Sequence, residues 1–458
     1  MYSHSDHNKL TREHAGIASK PATEDLPYYI CWLLVLCYSA FYLYFDDVDR
    51  FVARALALLA AGMVVARRPY TKGQPMVWLF YAAIATQLLT WGVGNLFYPE
   101  FAEHSPKVDR LGSWLLLVPV LFFTRKYPRH VFLMWLSALA TLLASPWLSG
   151  GGLSEIIQGI NHERIFFGLH NAEHMGMLFG VANIGLTVFA NRFIRYTRRT
   201  NTYCTILFYI LYAAAWISTL LAILMSQTRA IWLALGTSIA CGLIVFFYRR
   251  LKAGPTASTH NRRYPQLIAA VMAVAVIVSA AMFSGVLEQR IDLMHPENLL
   301  VAIDKPSEAS DDSVRIRLST WREAIDWIGK RPFLGWGGNG RNAVVNATPE
   351  LSNYEKERFG HLHNSYLDTV VNFGVAGLLV MFSLFYIIHR RVLSFVRENP
   401  SSVDVLYFWI LFLAYWMIAN IFESYMFYST GTYILSIIGG GLLSLSQHET
   451  ATVKTPKG

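Results

Sequence analysis

Long apolar runs recur through almost the whole chain, and they constrain its fold more than any other feature. A helix crosses about 30 Å of hydrocarbon with about 20 apolar residues, because every backbone N–H and C=O must be satisfied within the segment once water is excluded. Runs that reach or approach this length cover residues 29–45, 51–66, 76–97, 111–123, 131–148, 174–190, 203–224, 231–247, 265–283, 366–388, 407–426 and 433–445. The sequence therefore predicts an all-α polytopic membrane protein with about 12 transmembrane helices. The short second and fourth runs are the weakest, since a short run also suits a re-entrant segment. A chain that is 54% hydrophobic and only 15% charged agrees with this and departs from a soluble domain.

The formal charge of +9 would point to nucleic acid in a soluble protein. No zinc-finger spacing or contiguous basic stripe accompanies it, so no nucleic-acid partner is expected. Placement is more informative than number. With the N-terminus in the cytoplasm, the inner connections hold eighteen Lys and Arg, and the short outer ones hold five: Arg50, Lys107, Arg110, Arg164 and Arg229. Cytoplasmic loops are enriched in basic residues, so this alternation supports both the orientation and an even span count, with the phospholipid bilayer as solvent for the helices.

The organisation expected is a cytoplasmic tail over 1–28, helices one to nine over 29–283, an outer loop over 284–365, helices ten to twelve over 366–445, and a second cytoplasmic tail over 446–458. The first 28 residues lack the charged, apolar and small-residue regions of a signal peptide. Cys31, Cys37, Cys204 and Cys241 fall in or beside apolar runs without CxxC spacing, so they read as small hydrophobes and not as a disulfide framework.

The long connection between helices nine and ten is exceptional. Residues 284–364 hold ten Lys and Arg against twelve Asp and Glu, and their length favours a folded element or a disordered insertion over a simple linker. Thr320 and Glu323 have the capping-box spacing, and Trp321, Ile325 and Ile328 form an apolar stripe that Pro332 ends. These predict an amphipathic helix near 320–331. The following Gly335-Trp336-Gly337-Gly338-Asn339-Gly340 reads as a flexible turn with an interfacial aromatic, and residues 297–312 as a mobile stretch.

Chemistry concentrates at the outer mouth of the tenth span, in His361-Leu362-His363-Asn364-Ser365. Histidine accepts a proton near neutral pH, which suits a general base, although the same residues also suit helix capping or loop bridging. Arg317 precedes the predicted amphipathic helix and Arg229 follows the seventh span. An arginine fork matches phosphate, whereas an isolated arginine beside a membrane is commonly a snorkelling anchor or an ion-pair partner. Arg164, His170, Asn171, Glu173 and His174 lie on the same side, as do Asn420 and Glu423, whose spacing of three would share a helical face. No metal is expected, since His361 and His363 supply two donors without an evident carboxylate. No other cofactor motif is present.

Three stretches resemble the bacterial O-antigen ligase and polymerase family of membrane glycosyltransferases, most closely the ligases. They are Ser226-Gln227-Thr228-Arg229-Ala230, Arg317-Leu318-Ser319-Thr320-Trp321-Arg322-Glu323-Ala324 continuing through Arg331-Pro332-Phe333-Leu334-Gly335-Trp336-Gly337, and His363-Asn364-Ser365-Tyr366-Leu367. Their order around a long outer loop is similar too. The resemblance implies an undecaprenyl-pyrophosphate-linked glycan donor, a sugar hydroxyl of the lipid A core as acceptor, and transfer at the periplasmic face of the inner membrane. It assigns His363 as the essential histidine and Arg229 and Arg317 as catalytic arginines that also bind donor. His361, Asn364, Arg164, His170 and Asn171 are further substrate-binding candidates from their place on the outer side, and the resemblance gives His361, His170 and Asn171 no firm family position. Metal-independent, inverting displacement is the expected route. A repeat-unit polymerase, a protein-directed oligosaccharyltransferase and a glycan transporter are the competing readings. A transporter would place its site near the midplane around repeats, and the two halves show none.

Overall fold

The computed structural model describes residues 26–45, 51–59, 62, 75–125, 127–197, 201–253, 277, 281–286, 288 and 312–447. These residues form helices α1 (Leu26–Phe41), α2 (Pro75–Phe97), α3 (Leu117–Thr124), α4 (Pro128–Leu148), α5 (Gly152–Ile160), α6 (Ala172–Thr197), α7 (Thr202–Met225), α8 (Arg229–Ala253), α9 (Asp312–Lys330), α10 (Gly340–Ala347), α11 (Asn353–Arg358), α12 (Ser365–Glu398), α13 (Val403–Phe422) and α14 (Ser429–Leu445). Among the described residues, seven helical segments are long and apolar enough to cross a bilayer: Pro75–Phe97, Pro128–Leu148, Ala172–Thr197, Thr202–Met225, Arg229–Tyr248, Ser365–Glu398 and Pro400–Phe422. Tyr28–Phe41 and Ser429–Leu445 are shorter apolar helices. The protein is thus all-α and mostly membrane-embedded.

Of the remaining predicted runs, 51–66 is described only in part and 265–283 lies mostly outside the described residues. The run 111–123 is not one regular helix. It passes from Asp109–Gly112 through a tight turn of 3-10 helix at Ser113–Leu116 into α3, and the Trp114 indole N–H there donates to the Met426 carbonyl at 2.6 Å.

The helices pack chiefly as α8 on α13, α6 on α7 and α13, α14 on α3, α1 on α4, and α2 on α12. Lipid gives no hydrophobic drive for helices to associate, so close packing and interhelical hydrogen bonds hold them. Asn183 Nδ2 donates to Thr219 Oγ1 at 2.9 Å, joining α6 to α7. Trp135 Nε1 donates to the Ile437 carbonyl at 2.9 Å, joining α4 to α14. At the end of the bundle where α6 finishes and α13 begins, Arg192 binds Asp404 through two bonds of 2.8 Å.

Helix α12 is broken at Gly374, where φ is 61° and ψ −159°. A break inside a membrane strands backbone groups, and here the loop fills them. Val375 N–H donates to the Pro332 carbonyl at 2.8 Å and Ala376 N–H to the Phe333 carbonyl at 3.2 Å, while Trp336 and Gly337 N–H donate to the Val371 and Asn372 carbonyls at 2.8 and 2.9 Å. A Cβ on Gly374 would fall 2.2 Å from the Phe333 backbone, so glycine is required both for the dihedral and for the approach.

The described part of the long loop is folded around its own small core of Ile316, Ala324, Trp327, Trp336, Val344, Val345, Leu351, Leu362 and Val371. Two expectations are corrected here. The amphipathic helix begins at Asp312, not near 320, and Thr320 lies in its interior with its hydroxyl donating to the Ile316 carbonyl at 2.8 Å. A threonine that bonds back to the i−4 carbonyl fits mid-helix, so its spacing to Glu323 was not a cap. Trp336 is buried, not interfacial, and its indole N–H donates to the Trp327 carbonyl at 2.9 Å. The stretch 297–311 lies outside the described residues.

Candidate active site

One end of the bundle gathers the starts of α6, α8, α9, α12 and α14 with the ends of α7 and α13. Two asparagines set α6 and α12 in place. Asn171 accepts the His174 N–H at 2.9 Å, and Asn364 accepts those of Tyr366 and Leu367 at 3.0 Å each. Both therefore serve as caps that satisfy orphan helix donors. Their side chains fix the positions of Glu173 and His363 instead of pointing freely at a ligand.

His363 meets Glu423 here. Its Nδ1 lies 3.0 Å from Glu423 Oε2, and His361 Nε2 lies 3.3 Å from Oε1. The two histidines are themselves 3.2 Å apart, and the Tyr428 hydroxyl is 3.2 Å from His361. With Nδ1–H of His363 donating to the carboxylate, Nε2 carries the lone pair and has no other bond among the described residues. A carboxylate behind an imidazole fixes the tautomer in this way. Burial alone would raise the Glu423 carboxyl, but the hydrogen bonds from His361 and His363 hold it well below the usual carboxylate range.

Glu423 corrects two expectations. It is extended (φ −153°, ψ 156°), not helical, so it shares no helical face with Asn420. Asn420 is buried and accepts the Ser365 hydroxyl at 2.6 Å, tying α12 to α13. The histidines also do not lack a carboxylate: the ligand atoms of His361, His363 and Glu423 all lie within 4.8 Å of one another, a group able to hold a metal ion by distance. Two imidazoles and one carboxylate match the three-ligand set of an open zinc site. Each of these atoms is equally satisfied by its neighbours as a hydrogen-bonded array.

Arginines form the second half of the site. Arg317 sits within α9, not ahead of it, and one guanidinium nitrogen lies 3.2 and 3.5 Å from the two oxygens of Glu173. Arg164 lies 3.9 Å from the same carboxylate and donates through Nε to the Ser226 carbonyl at 3.1 Å. Its loop is braced by Glu155, which accepts the N–H groups of Phe166 and Phe167 at 3.1 and 2.7 Å. Arg229 is half-buried as the first residue of α8, directly after the 226–228 turn that Arg164 clasps. Glu173 and Glu423 are electrostatic neighbours, so the arginine and histidine halves adjoin.

His170 stands with its ring 4.5 Å from His174 and 5.0 Å from Tyr428. Burial lowers its pKa. His174 is fully buried, bonded through Nδ1 to Thr430, and belongs to the packing below the site. Three site residues other than glycine adopt positive φ: His170 at 55°, Gln227 at 49° and His363 at 50°. Such conformations cost about 1–3 kcal/mol each and persist where the surroundings over-determine them.

The fold and this rim define a polytopic helical membrane protein with a histidine–carboxylate pair beside an arginine cluster at one end of the bundle. Residues 213–382 match the family model described as O-antigen ligase. The match runs from within α7 to within α12, so it takes in Arg229, Arg317, His361 and His363. Over those residues the chain is similar to O-antigen ligases. No curated protein matches the chain.

Proposed function

We propose that the protein is an O-antigen ligase that moves a glycan from undecaprenyl pyrophosphate to a sugar hydroxyl of the lipid A core. The observation that carries this reading is the His363–Glu423 pair standing beside Arg317 and Arg164 at a single rim. In the proposed step, His363 Nε2 takes the proton of the acceptor hydroxyl as that oxygen bonds to the anomeric carbon. The carbon–oxygen bond to pyrophosphate breaks, and its electron pair leaves with the phosphate oxygen. Arg317, Arg164 and Arg229 bind the charge that develops there, where it stabilises the transition state more than the ground state. The positive ends of α6, α8, α12 and α14 at the same rim add to that field.

A single displacement inverts the anomeric configuration. No metal enters the proposed step. In this reading the helices number twelve, the N-terminus is cytoplasmic, and the rim and the 284–365 loop face the periplasm of the inner membrane, leaving the lipid tail between helices.

The test is reconstitution with a defined undecaprenyl-pyrophosphate glycan and, separately, lipid A core or a second donor molecule, with and without a chelator. Glycan on lipid A core, undiminished by chelation, is the expected result. Chain growth on the polyprenyl carrier would reassign the protein as a polymerase, and loss of transfer on chelation with rescue by a divalent ion would put a metal on His361, His363 and Glu423.

A further inference from the structure

Glu173 is a charged group at the rim that the proposed reaction does not use. It lies on the first turn of α6, with its backbone pinned on both sides by the Asn171 cap and by the Tyr425 hydroxyl, which donates to its carbonyl at 3.0 Å. Its side chain meets Arg317 and Arg164. That side chain is 20% exposed and Arg164 43%, so both are reachable from the rim.

Its bonds to Arg317 are loose. They measure 3.2 and 3.5 Å, where charge-assisted N–H···O bonds run at about 2.7–2.9 Å. Elsewhere in the molecule, Arg192 reaches Asp404 at 2.8 Å twice. Arg317 also keeps a buried Nε with no hydrogen-bond partner. One terminal nitrogen donates to Ser313, and of the remaining two donors the carboxylate engages the other terminal nitrogen and leaves the buried Nε unmet. A larger anion with more oxygens would satisfy both.

We propose that the Glu173 carboxylate is an internal stand-in for the donor's pyrophosphate, which keeps Arg317 and Arg164 assembled in the empty site and is displaced when pyrophosphate binds. The inference rests on the proposed phosphate-binding role of those arginines. Two neighbouring guanidinium groups repel one another, and an internal anion between them preserves the geometry that the donor needs. Once displaced, the carboxylate remains beside the bound phosphate and close to Glu423, and its repulsion favours departure of the spent carrier. Glu173 thus weakens carrier binding and speeds turnover. In chemical terms it selects for a polyanion, since a monoanion gains nothing over the carboxylate it must replace.

A purely structural ion pair predicts the opposite sign, because breaking it would loosen Arg317 and weaken binding. The full-length protein in lipid nanodiscs should be titrated with undecaprenyl pyrophosphate, comparing wild type with Glu173→Gln, Glu173→Asp and Arg317→Gln. A stand-in that occupies the arginines about nine-tenths of the time weakens apparent affinity about tenfold. Glu173→Gln should therefore tighten carrier binding by about that factor, lower KM for the donor and lower kcat through slower release. Glu173→Asp, whose shorter reach relaxes the contact without removing the charge, should lie between and covers the case in which the glutamine variant fails to fold. Unchanged or weakened binding in both variants would overturn the proposal. If Arg317→Gln also binds the carrier as tightly as wild type, the phosphate-binding reading of the arginines fails with it; if that variant binds weakly, only the stand-in role is lost.

Discussion

The two ends of the helix bundle hold ion pairs of different kinds. At the end where α6 finishes, Arg192 and Asp404 meet in a bidentate pair of 2.8 Å bonds that uses both carboxylate oxygens. At the rim where α6 starts, Arg317 holds Glu173 loosely and keeps an unmet buried donor, and His170, Gln227 and His363 are held at positive φ. A charge pair that only joins helices has its bonds filled. Strained backbone with unfilled donors marks the end built to receive something else.

Four substitutions probe that contrast, taken from the largest expected effect to the smallest. Replacing Glu423 with Gln removes the carboxylate that fixes the His363 tautomer, and kcat should fall by about 10³–10⁴ with protein amount preserved, by analogy with the loss of a buried orienting carboxylate in a hydrolase triad. Because Glu423 is held well below the usual range, its pairing contributes stability above the unfolded carboxylate value of about 4.3 and loses it only as pH falls through the depressed native value. Glu423 should thus stay ionised wherever the wild-type protein is active, and its titration above the ordinary carboxylate range would contradict the assignment.

Replacing Arg317 with Lys keeps the charge but removes the fork, and kcat/KM for donor should fall about 10²-fold if the fork binds developing phosphate charge. A Gly374→Ala change forces a side chain into the Phe333 backbone and an unfavourable φ, costing about 1–3 kcal/mol or more; a drop in Tm in detergent with undocking of the loop, read by proteolysis, checks it. Replacing Arg192 with Gln at the other end should change kcat by less than about twofold and lower stability by at most about 1 kcal/mol, since that arginine is a third exposed. A catalytic effect from Arg192 as large as that from Arg317 would erase the contrast.

Much of this was legible in the sequence, for identifiable reasons. Apolar run length reports the helices because lipid leaves the backbone no alternative, and His363, Arg317 and Arg229 were named because each sits at a span end or in a polar loop beside one. Glu423 was visible only as a helical companion of Asn420; its turn out of the helix and its pairing across sixty residues are tertiary facts. The start of α9 was misplaced because the hydroxyl of Thr320 serves a helix interior as well as a cap. The loop backbone filling the break at Gly374 leaves no local pattern at all, since its partners lie some forty residues apart.

The central claim is that chemistry occurs at the His363 rim. Reconstituted membranes containing His363→Ala should transfer no glycan from undecaprenyl pyrophosphate to lipid A core while retaining wild-type protein amount and carrier binding. Normal turnover by that variant would contradict the account.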